Sequence, residues 1–140
     1  MRTVDDVRTL MDHWFPPQLA ESWDAPGLIC GDPADEVHRV ATALEATDEV
    51  VAAAIDSGAQ MLLVHHPLLM RGVTTVSADT PKGRLVHRLI RAGVALMAAH
   101  TNADAAVGGV NDVLARLLEG RVDGPLHPAA HPVDDEWAGP

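Results

Sequence analysis

Two short polar stretches contain the side chains that could do chemistry. The first is "LLVHHP", in which His65 and His66 follow an apolar run and precede Pro67. The second is "HTNAD", which begins at His100 and ends at Asp104. Imidazole and carboxylate groups are common ligands of divalent transition metals. The two stretches therefore indicate a metal site, provided that the fold brings them together.

The adjacency of the two histidines favours two ions over one. On a regular strand, neighbouring side chains point to opposite faces, so His65 and His66 could not bind a single ion there. We expect the strand to end before the pair, because Pro67 forces the chain to turn. Two successive imidazoles can then face one cleft and reach separate ions. The carboxylate of Asp104 would be the natural ligand for the two ions to share.

An ordinary structural role is the alternative, because the chain contains eight histidines. The metal interpretation gains weight only because a second predicted strand also ends in His and Asp. The other histidines are expected to be ordinary helix, strand-edge or solvated residues, and they are His13, His38, His87, His127 and His131.

Length and composition predict one globular domain with an aliphatic core. The chain has 140 residues, of which 47% are hydrophobic and 21% are charged, so it is neither disordered nor fibrous. Aromatic residues make up only 3%. A core built from Ala, Val, Leu and Ile is typical of a buried parallel sheet with helices packed on it.

The balance of charges limits the classes of partner. Lys and Arg total 10 and Asp and Glu total 20, which gives a net charge of −10 with His neutral. Such a chain lacks the cationic patch that displaces counterions from nucleic acid, and it is equally unsuited to an anionic membrane surface. We therefore expect neither nucleic acid nor a membrane as a partner.

Cysteine content and the amino-terminal residues predict a cytoplasmic location. Cys30 is the single cysteine, so no intrachain disulfide can form and a reducing compartment is expected. We expect its thiol to be buried rather than catalytic. The stretch "MRTVDDVRTLMDHW" has acidic residues where a signal peptide needs apolar ones. No apolar run approaches the roughly 20 residues that span a bilayer.

Hydrophobic periodicity and capping residues predict an alternation of strands and helices. This alternation is typical of an α/β fold with a mostly parallel sheet, in which ligands bind beyond the carboxyl ends of the strands. We interpret "ESWDAPGLICGD" as a loop that Trp23 and Asp24 anchor, with a role in the site as the alternative. The predicted helices cover 4–14, 48–58, 81–93 and 108–120, and the predicted strands cover 38–46, 61–64 and 94–99.

Three blocks of sequence resemble the Nif-three-like family of dinuclear-metal proteins, also called GTP cyclohydrolase I type 2 homologues. The blocks are "SWDAPGLICGD", "LLVHHPLLMRG" and "HTNADAAVGGVND". The resemblance implies a layered α/β fold and a toroidal homohexamer whose paired metals face a central cavity. It places His65, His66 and Asp104 at metal-ligand positions, with Asp104 shared between two ions. It gives His100 a position in the site, without assigning it as a ligand.

The carboxyl-terminal part departs from the family pattern. Family members have a further His and Glu ligand, one helical turn apart, near their carboxyl terminus. Here His131 and Glu136 are five residues apart, and Pro132 opposes a continuous helix. We therefore expect residues 1–120 to form the amino-terminal half of the family fold, in a chain that is truncated or naturally short. Residues 121–140 would be a proline-rich tail or the start of a missing half, and the metal site would be incomplete.

Two functions remain open from the sequence, beside the possibility that this half of the fold is inert. The first is a metal-dependent hydrolase or cyclohydrolase-like activity on a nucleotide or another phosphate-containing substrate, with two divalent ions as cofactors. The second is a metal-binding scaffold or regulator without turnover, which acts through oligomer assembly and partner contacts. His and Asp ligands suit Zn, Fe, Mn or Co, so the residues do not select the metal.

Overall fold

The computed structural model describes residues 1–125. The predictions for His127, His131, Glu136 and most of the 121–140 segment lie outside the described residues. In chain order the elements are β1 (Arg2–Thr3), α1 (Val4–Trp14), a 3-10 helix (Pro17–Leu19), β2 (Gly27–Cys30), β3 (Glu36–Val37), β4 (Val40–Glu45), α2 (Asp48–Asp56), β5 (Met61–His66), α3 (Pro81–Arg91), β6 (Ala95–Ala98), α4 (Thr101–Ala105) and α5 (Val110–Leu117).

Threonine caps fix the starts of α1, α2 and α3. The hydroxyls of Thr3, Thr47 and Thr80 each accept a hydrogen bond, at 3.2 Å, from the backbone N–H three residues later. At α1 the bond is reciprocal, because the carboxylate of Asp6 accepts the N–H of Thr3 at 2.9 Å. Such bonds satisfy backbone donors that the first helical turn leaves free. The helices predicted at these three positions are confirmed.

Four strands form the central sheet in the order β2-β6-β5-β4. The pairs β4–β5 and β5–β6 are parallel, as predicted, with Val64 opposite Ala98 in the second pair. The carboxyl ends of β5 and β6 therefore lie side by side. A separate two-stranded sheet pairs β1 with β3 in antiparallel orientation.

The edge strand β2 was not predicted. We expected residues 21–32 to form a loop, but Gly27–Cys30 pairs with β6 in antiparallel orientation, with an irregularity between Leu28 and Cys30. Gly31, just beyond the strand, has φ +117°, and a β-carbon there would lie 2.6 Å from the β-carbon of Ala95. Only glycine allows this approach of β2 to β6.

The strand β5 is longer than predicted. We expected it to end at Val64, but it continues to His66, which pairs with Glu45 of β4. The expectation that the strand ends before the histidine pair is therefore wrong. The short helix α4, which starts at Thr101 directly after His100, was not predicted either.

Helices cover both faces of the sheet. On one face, Val51 of α2 and Leu89 of α3 belong to a buried cluster with Leu62 of β5. On the other face, Met11 of α1 belongs to a second cluster with Met97 of β6. The layered α/β architecture with a mostly parallel sheet is confirmed, and its core is largely aliphatic.

Candidate metal centre

Three imidazoles meet at the edge of the sheet where β5 and β6 end. His65 and His66 are the last residues of β5, and His100 lies between β6 and α4. Their ring centroids are 5.2 Å apart for His65–His66, 5.0 Å for His65–His100 and 5.6 Å for His66–His100. One nitrogen from each ring lies within 4.8 Å of the others. The neighbouring strand ends thus bring the two sequence stretches together, although the histidine pair is still part of the strand.

The main chain directly after β6 fixes the ring of His65. Its Nδ1 lies 3.0 Å from the carbonyl oxygen of Ala99. A carbonyl oxygen can only accept a hydrogen bond, so Nδ1 is the donor, and in the neutral ring Nε2 keeps its lone pair. That Nε2 lies 3.7 Å from Oδ1 of Asp104. This distance is too long for a hydrogen bond but suits two ligands of one ion, which lie at most about 4.2 Å apart.

Asp104 lies at this edge of the sheet because α4 begins there, at Thr101. The backbone N–H of Asp104 bonds the carbonyl of His100 at 3.1 Å, so the two residues are one helical turn apart. The side chain of Asn111 donates to the carbonyl of Asp104 at 3.1 Å, which ties α5 to this helix. All four residues selected from the sequence therefore lie at one edge, with the compact nitrogen group formed by His65, His66 and His100.

Asp24 contacts the site directly, which is the role that the sequence left open as the alternative to anchoring its loop. Its side chain has no exposure to solvent, and its Oδ1 lies 2.9 Å from Nδ1 of His100. Burial by itself raises the pKa of Asp24, but hydrogen bonds from Thr101, His100 and Ala25 outweigh it and hold the pKa below its ordinary value. Asp24 is therefore an ionised hydrogen-bond acceptor for Nδ1 of His100.

The segment that contains Asp24 packs against the start of α4. The N–H of Glu21 donates to the hydroxyl of Thr101 at 3.0 Å, and Trp23 lies edge-on to His100 with ring centroids 6.1 Å apart. The anchoring role that the sequence suggested for Trp23 and Asp24 thus has a specific target. No local pattern could have identified it, because Asp24 and His100 are 76 residues apart.

The donor set suits a divalent transition metal. Imidazole nitrogens and a carboxylate oxygen are ligands for Zn, Fe, Mn or Co, and each of the rings must be neutral to bind. Cys30 is half-buried on β2, and burial raises the pKa of its thiol, which keeps it protonated at neutral pH. This matches the expectation of a structural cysteine.

Comparisons with known proteins identify the family. The family model of Duf34/NIF3 (NGG1p interacting factor 3) matches residues 2–133. A Mycobacterium bovis protein named "GTP cyclohydrolase 1 type 2 homolog" is 53% identical over 133 residues, which cover 94% of this chain and 35% of that protein. The chain thus spans about a third of the length of this relative.

Solved structures agree with the sequence comparison. Staphylococcus aureus protein SA1388 superposes with a TM-score of 0.78 and 43% identity, over 84% of this chain and 33% of that one. Reduced HcgD from Methanocaldococcus jannaschii superposes with a TM-score of 0.81 and 28% identity, over 89% of this chain and 50% of that one. The resemblance in the three sequence blocks is confirmed, and the chain belongs to the Duf34/NIF3 family.

Proposed function

We propose that this chain binds divalent metal ions through His65, His66, His100 and Asp104. The observation that carries the proposal is the group of three imidazole nitrogens within 4.8 Å of one another at one sheet edge. The hydrogen bonds on Nδ1 of His65 and His100 support it, because they leave Nε2 of each neutral ring free to act as a ligand.

The finer form of the proposal is a dinuclear centre that is incomplete within this chain. Three imidazoles and one carboxylate are too few to fill the coordination of two ions. Asp104, 3.7 Å from Nε2 of His65, would be the ligand shared by the ions. Zn, Fe, Mn and Co all remain compatible with these ligands.

The reaction we propose is hydrolysis, or a cyclohydrolase-like ring opening, of a nucleotide or another phosphate-containing substrate. The name of the Mycobacterium bovis relative supports this class. When bound, a divalent ion supplies positive charge that polarises a phosphoryl or carbonyl oxygen and makes water more acidic. The chain's own contribution is to orient the imidazoles, and Trp23, 57% exposed beside His100, would contact what enters the site.

Metal binding without turnover is the second candidate function, and the burial and hydrogen bonding of Asp24 favour it. This carboxylate is fully buried and accepts hydrogen bonds from Ala25, His100 and Thr101. It is therefore unavailable to remove a proton from water. Asp104 has the proposed role of ligand. A scaffold or regulator that binds metal needs no such free base.

A double substitution tests the site and separates the two candidates. Elemental analysis of the His65→Ala/His66→Ala protein after loading with Zn, Mn or Fe should show that most of the wild-type metal is lost. The control is His38→Ala/His87→Ala, which removes two imidazoles elsewhere in the fold and should keep the metal. Equal metal content in all three proteins would disprove the site.

Turnover by the same proteins then decides between the candidates. Hydrolysis of nucleotides or generic phosphoesters by loaded wild type, absent in the His65→Ala/His66→Ala variant, would establish the enzyme. Bound metal with no turnover on any of these substrates would favour the scaffold.

Assembly and location belong to the same proposal. We propose a homo-oligomer, with the toroidal hexamer as its specific form, and the exposed apolar side chains of α5 support contact with a second copy. No helix within residues 1–125 is long and apolar enough to cross a membrane. The cytoplasmic location stays a prediction.

A further inference from the structure

The imidazoles of His65 and His100 are held by different kinds of acceptor. Nδ1 of His65 bonds the backbone carbonyl of Ala99, which no substitution of a side chain can remove. Nδ1 of His100 bonds a side-chain carboxylate, that of Asp24, at 2.9 Å. The choice of ring nitrogen that carries the proton of His100 therefore depends on one residue, Asp24, from a distant part of the chain.

Each oxygen of Asp24 is fully used by donors. Oδ1 accepts the N–H of Ala25 at 2.8 Å and the Nδ1–H of His100. Oδ2 accepts the N–H of Thr101 at 3.0 Å and the hydroxyl of the same residue. A carboxylate with this set of donors stays ionised, so the proton in the contact with His100 belongs to the imidazole.

We propose that Asp24 is a positioning residue of the metal centre, which holds the proton of His100 on Nδ1 and so leaves Nε2 as the ligand atom. This inference rests on the proposed metal-binding function. The hydrogen bond at one ring nitrogen decides which nitrogen of a neutral imidazole is protonated. Without Asp24, the His100 proton is free to move to Nε2, where it blocks the lone pair that a metal needs.

The same carboxylate also orients the ring. The hydroxyl of Thr101 accepts the N–H of Glu21 and donates to Asp24, so the 21–24 segment is bound to the first residue of α4. This places the carboxylate of Asp24 at the Nδ1 edge of the His100 ring, and the contact fixes the direction in which Nε2 points. The bonds to Thr101 hold the loop, whereas the bond to His100 selects the nitrogen that faces the cluster.

The substitution Asp24→Asn separates these two roles. An asparagine amide has one acceptor and one donor end. If its oxygen keeps the two donors of Thr101, its NH₂ faces Nδ1 of His100. That nitrogen must then accept, and the proton moves to Nε2. Either orientation sets the NH₂ against one backbone N–H, that of Ala25 or that of Thr101. The contact with Ala25 is exposed, so water can replace it, whereas the contact with Thr101 is part-buried. The orientation that keeps the oxygen on Thr101 is therefore favoured.

The matched control is Thr101→Val. It removes the hydroxyl that bonds Asp24 and Glu21, but it keeps the carboxylate beside His100. Both variants weaken the attachment of the loop to α4. Only Asp24→Asn changes the acceptor of the imidazole, so a purely structural role for Asp24 predicts similar behaviour from the two variants.

The test is the protonation pattern of His100 in metal-free protein, read from long-range proton–nitrogen NMR spectra of histidine-labelled samples at mildly alkaline pH. The signals are assigned by their loss in His100→Gln. We expect the proton on Nδ1 in wild type and Thr101→Val, and on Nε2 in Asp24→Asn. A proton on Nε2 in wild type overturns the inference even if Asp24→Asn does not fold, and so does an Nδ1 proton in folded Asp24→Asn.

Zinc affinity, measured by competition with a chromophoric chelator, is the second readout. We expect about 10- to 100-fold weaker binding by Asp24→Asn and a much smaller change in Thr101→Val. A moved proton with unchanged zinc affinity would overturn the positioning role. Failure of wild type to bind zinc, manganese or iron would instead remove the proposed function, and the NMR result distinguishes that outcome because it needs no metal.

Discussion

His65 and His100 show how much of the candidate site depends on contacts beyond the residue itself. The types of His65, His66 and Asp104 and their positions after two predicted strands predicted an edge site, because the carboxyl ends of parallel strands lie at one edge of a sheet. The acceptors that set the two Nδ1 atoms, Ala99 and Asp24, could not be predicted. Ala99 reaches His65 through the pairing of β5 with β6, and Asp24 reaches His100 from a loop far away in sequence. The local sequence around the histidines contains neither piece of information.

Asn102 is the residue at this edge whose loss should cost most stability. It is 4% exposed, its side-chain NH₂ donates to the carbonyl of Phe15 at 2.7 Å, and its oxygen accepts the N–H of His100 at 2.9 Å. Asn102→Ala leaves both backbone groups without this partner. We expect the free energy of unfolding to fall by about 2 kcal/mol, measured by urea denaturation of metal-free protein.

The control for Asn102→Ala is Asn111→Ala. Asn111 also bonds a backbone carbonyl, that of Asp104 at 3.1 Å, but at an exposed position where water can replace it. Its substitution should change stability by less than about 0.5 kcal/mol. An equal fall in the free energy of unfolding in Asn102→Ala and Asn111→Ala would show that burial of Asn102 does not decide its contribution to stability.

Helix starts and strand pairings differ in how well the sequence predicts them. The starts of α1, α2 and α3 depend on a threonine and the three residues after it, which is local information. β2 has four residues and gains its hydrogen bonds from β6, which lies some 65 residues later in the chain. A strand that short has no periodicity to detect, so it was interpreted as a loop.

Gly83 in α3 gives a prediction that reverses the usual preference of helices for alanine. Alanine in place of glycine normally gains up to about 1 kcal/mol in a helix. A β-carbon at Gly83, however, would lie 2.0 Å from the carbonyl oxygen of Ser77 and 2.7 Å from the hydroxyl of Thr80. Gly83→Ala should therefore lower the free energy of unfolding by about 1 to 3 kcal/mol, as thermal or urea denaturation would show.

Gly72→Ala is the matched control for Gly83→Ala. No atom lies within 4 Å of the position that a β-carbon would take at Gly72. The substitution should leave stability unchanged or slightly raised, because it restricts only the unfolded chain. A stabilised Gly83→Ala protein would show that the loop before α3 moves away at little cost.

For the molecule as a whole, the alternation of strands and helices was enough to predict the class and the parallel pairing of three strands. The position of β2 at the sheet edge and its antiparallel direction were not predictable, since several strand orders satisfy the same alternation. One feature of the molecular surface does follow from the spacing of apolar residues along the sequence, and it is the outer face of α5. α5 has no buried residue, and its apolar side chains face outward.

Self-association through α5 is the prediction at this scale. Leu114 and Leu117 are 54% and 75% exposed, and Val110 lies on the same side of the helix at 40%. Burial of such a surface against a second copy is favourable. Light scattering after size exclusion should give wild type a mass that is a multiple of 14.8 kDa, and Leu114→Lys/Leu117→Lys the mass of one chain.

The control for self-association is Ile90→Lys, which changes an apolar residue that is 58% exposed on α3 instead of α5. This variant should keep the wild-type mass. A monomeric wild type, or a double variant with the wild-type mass, would refute the assignment of α5 as the contact between copies.

The pairing of β5 with β6 limits how the lengths of these segments can change. Val64 lies opposite Ala98, and His65 and His100 follow within two residues of that pair. One residue inserted into β6 would reverse the face of every side chain after it and carry the Ala99 carbonyl away from His65. A matching insertion in β5 would be needed to restore the contact. Matched insertions would still shift β6 against β2 and β5 against β4, so the length of each of these two strands is constrained on both of its sides.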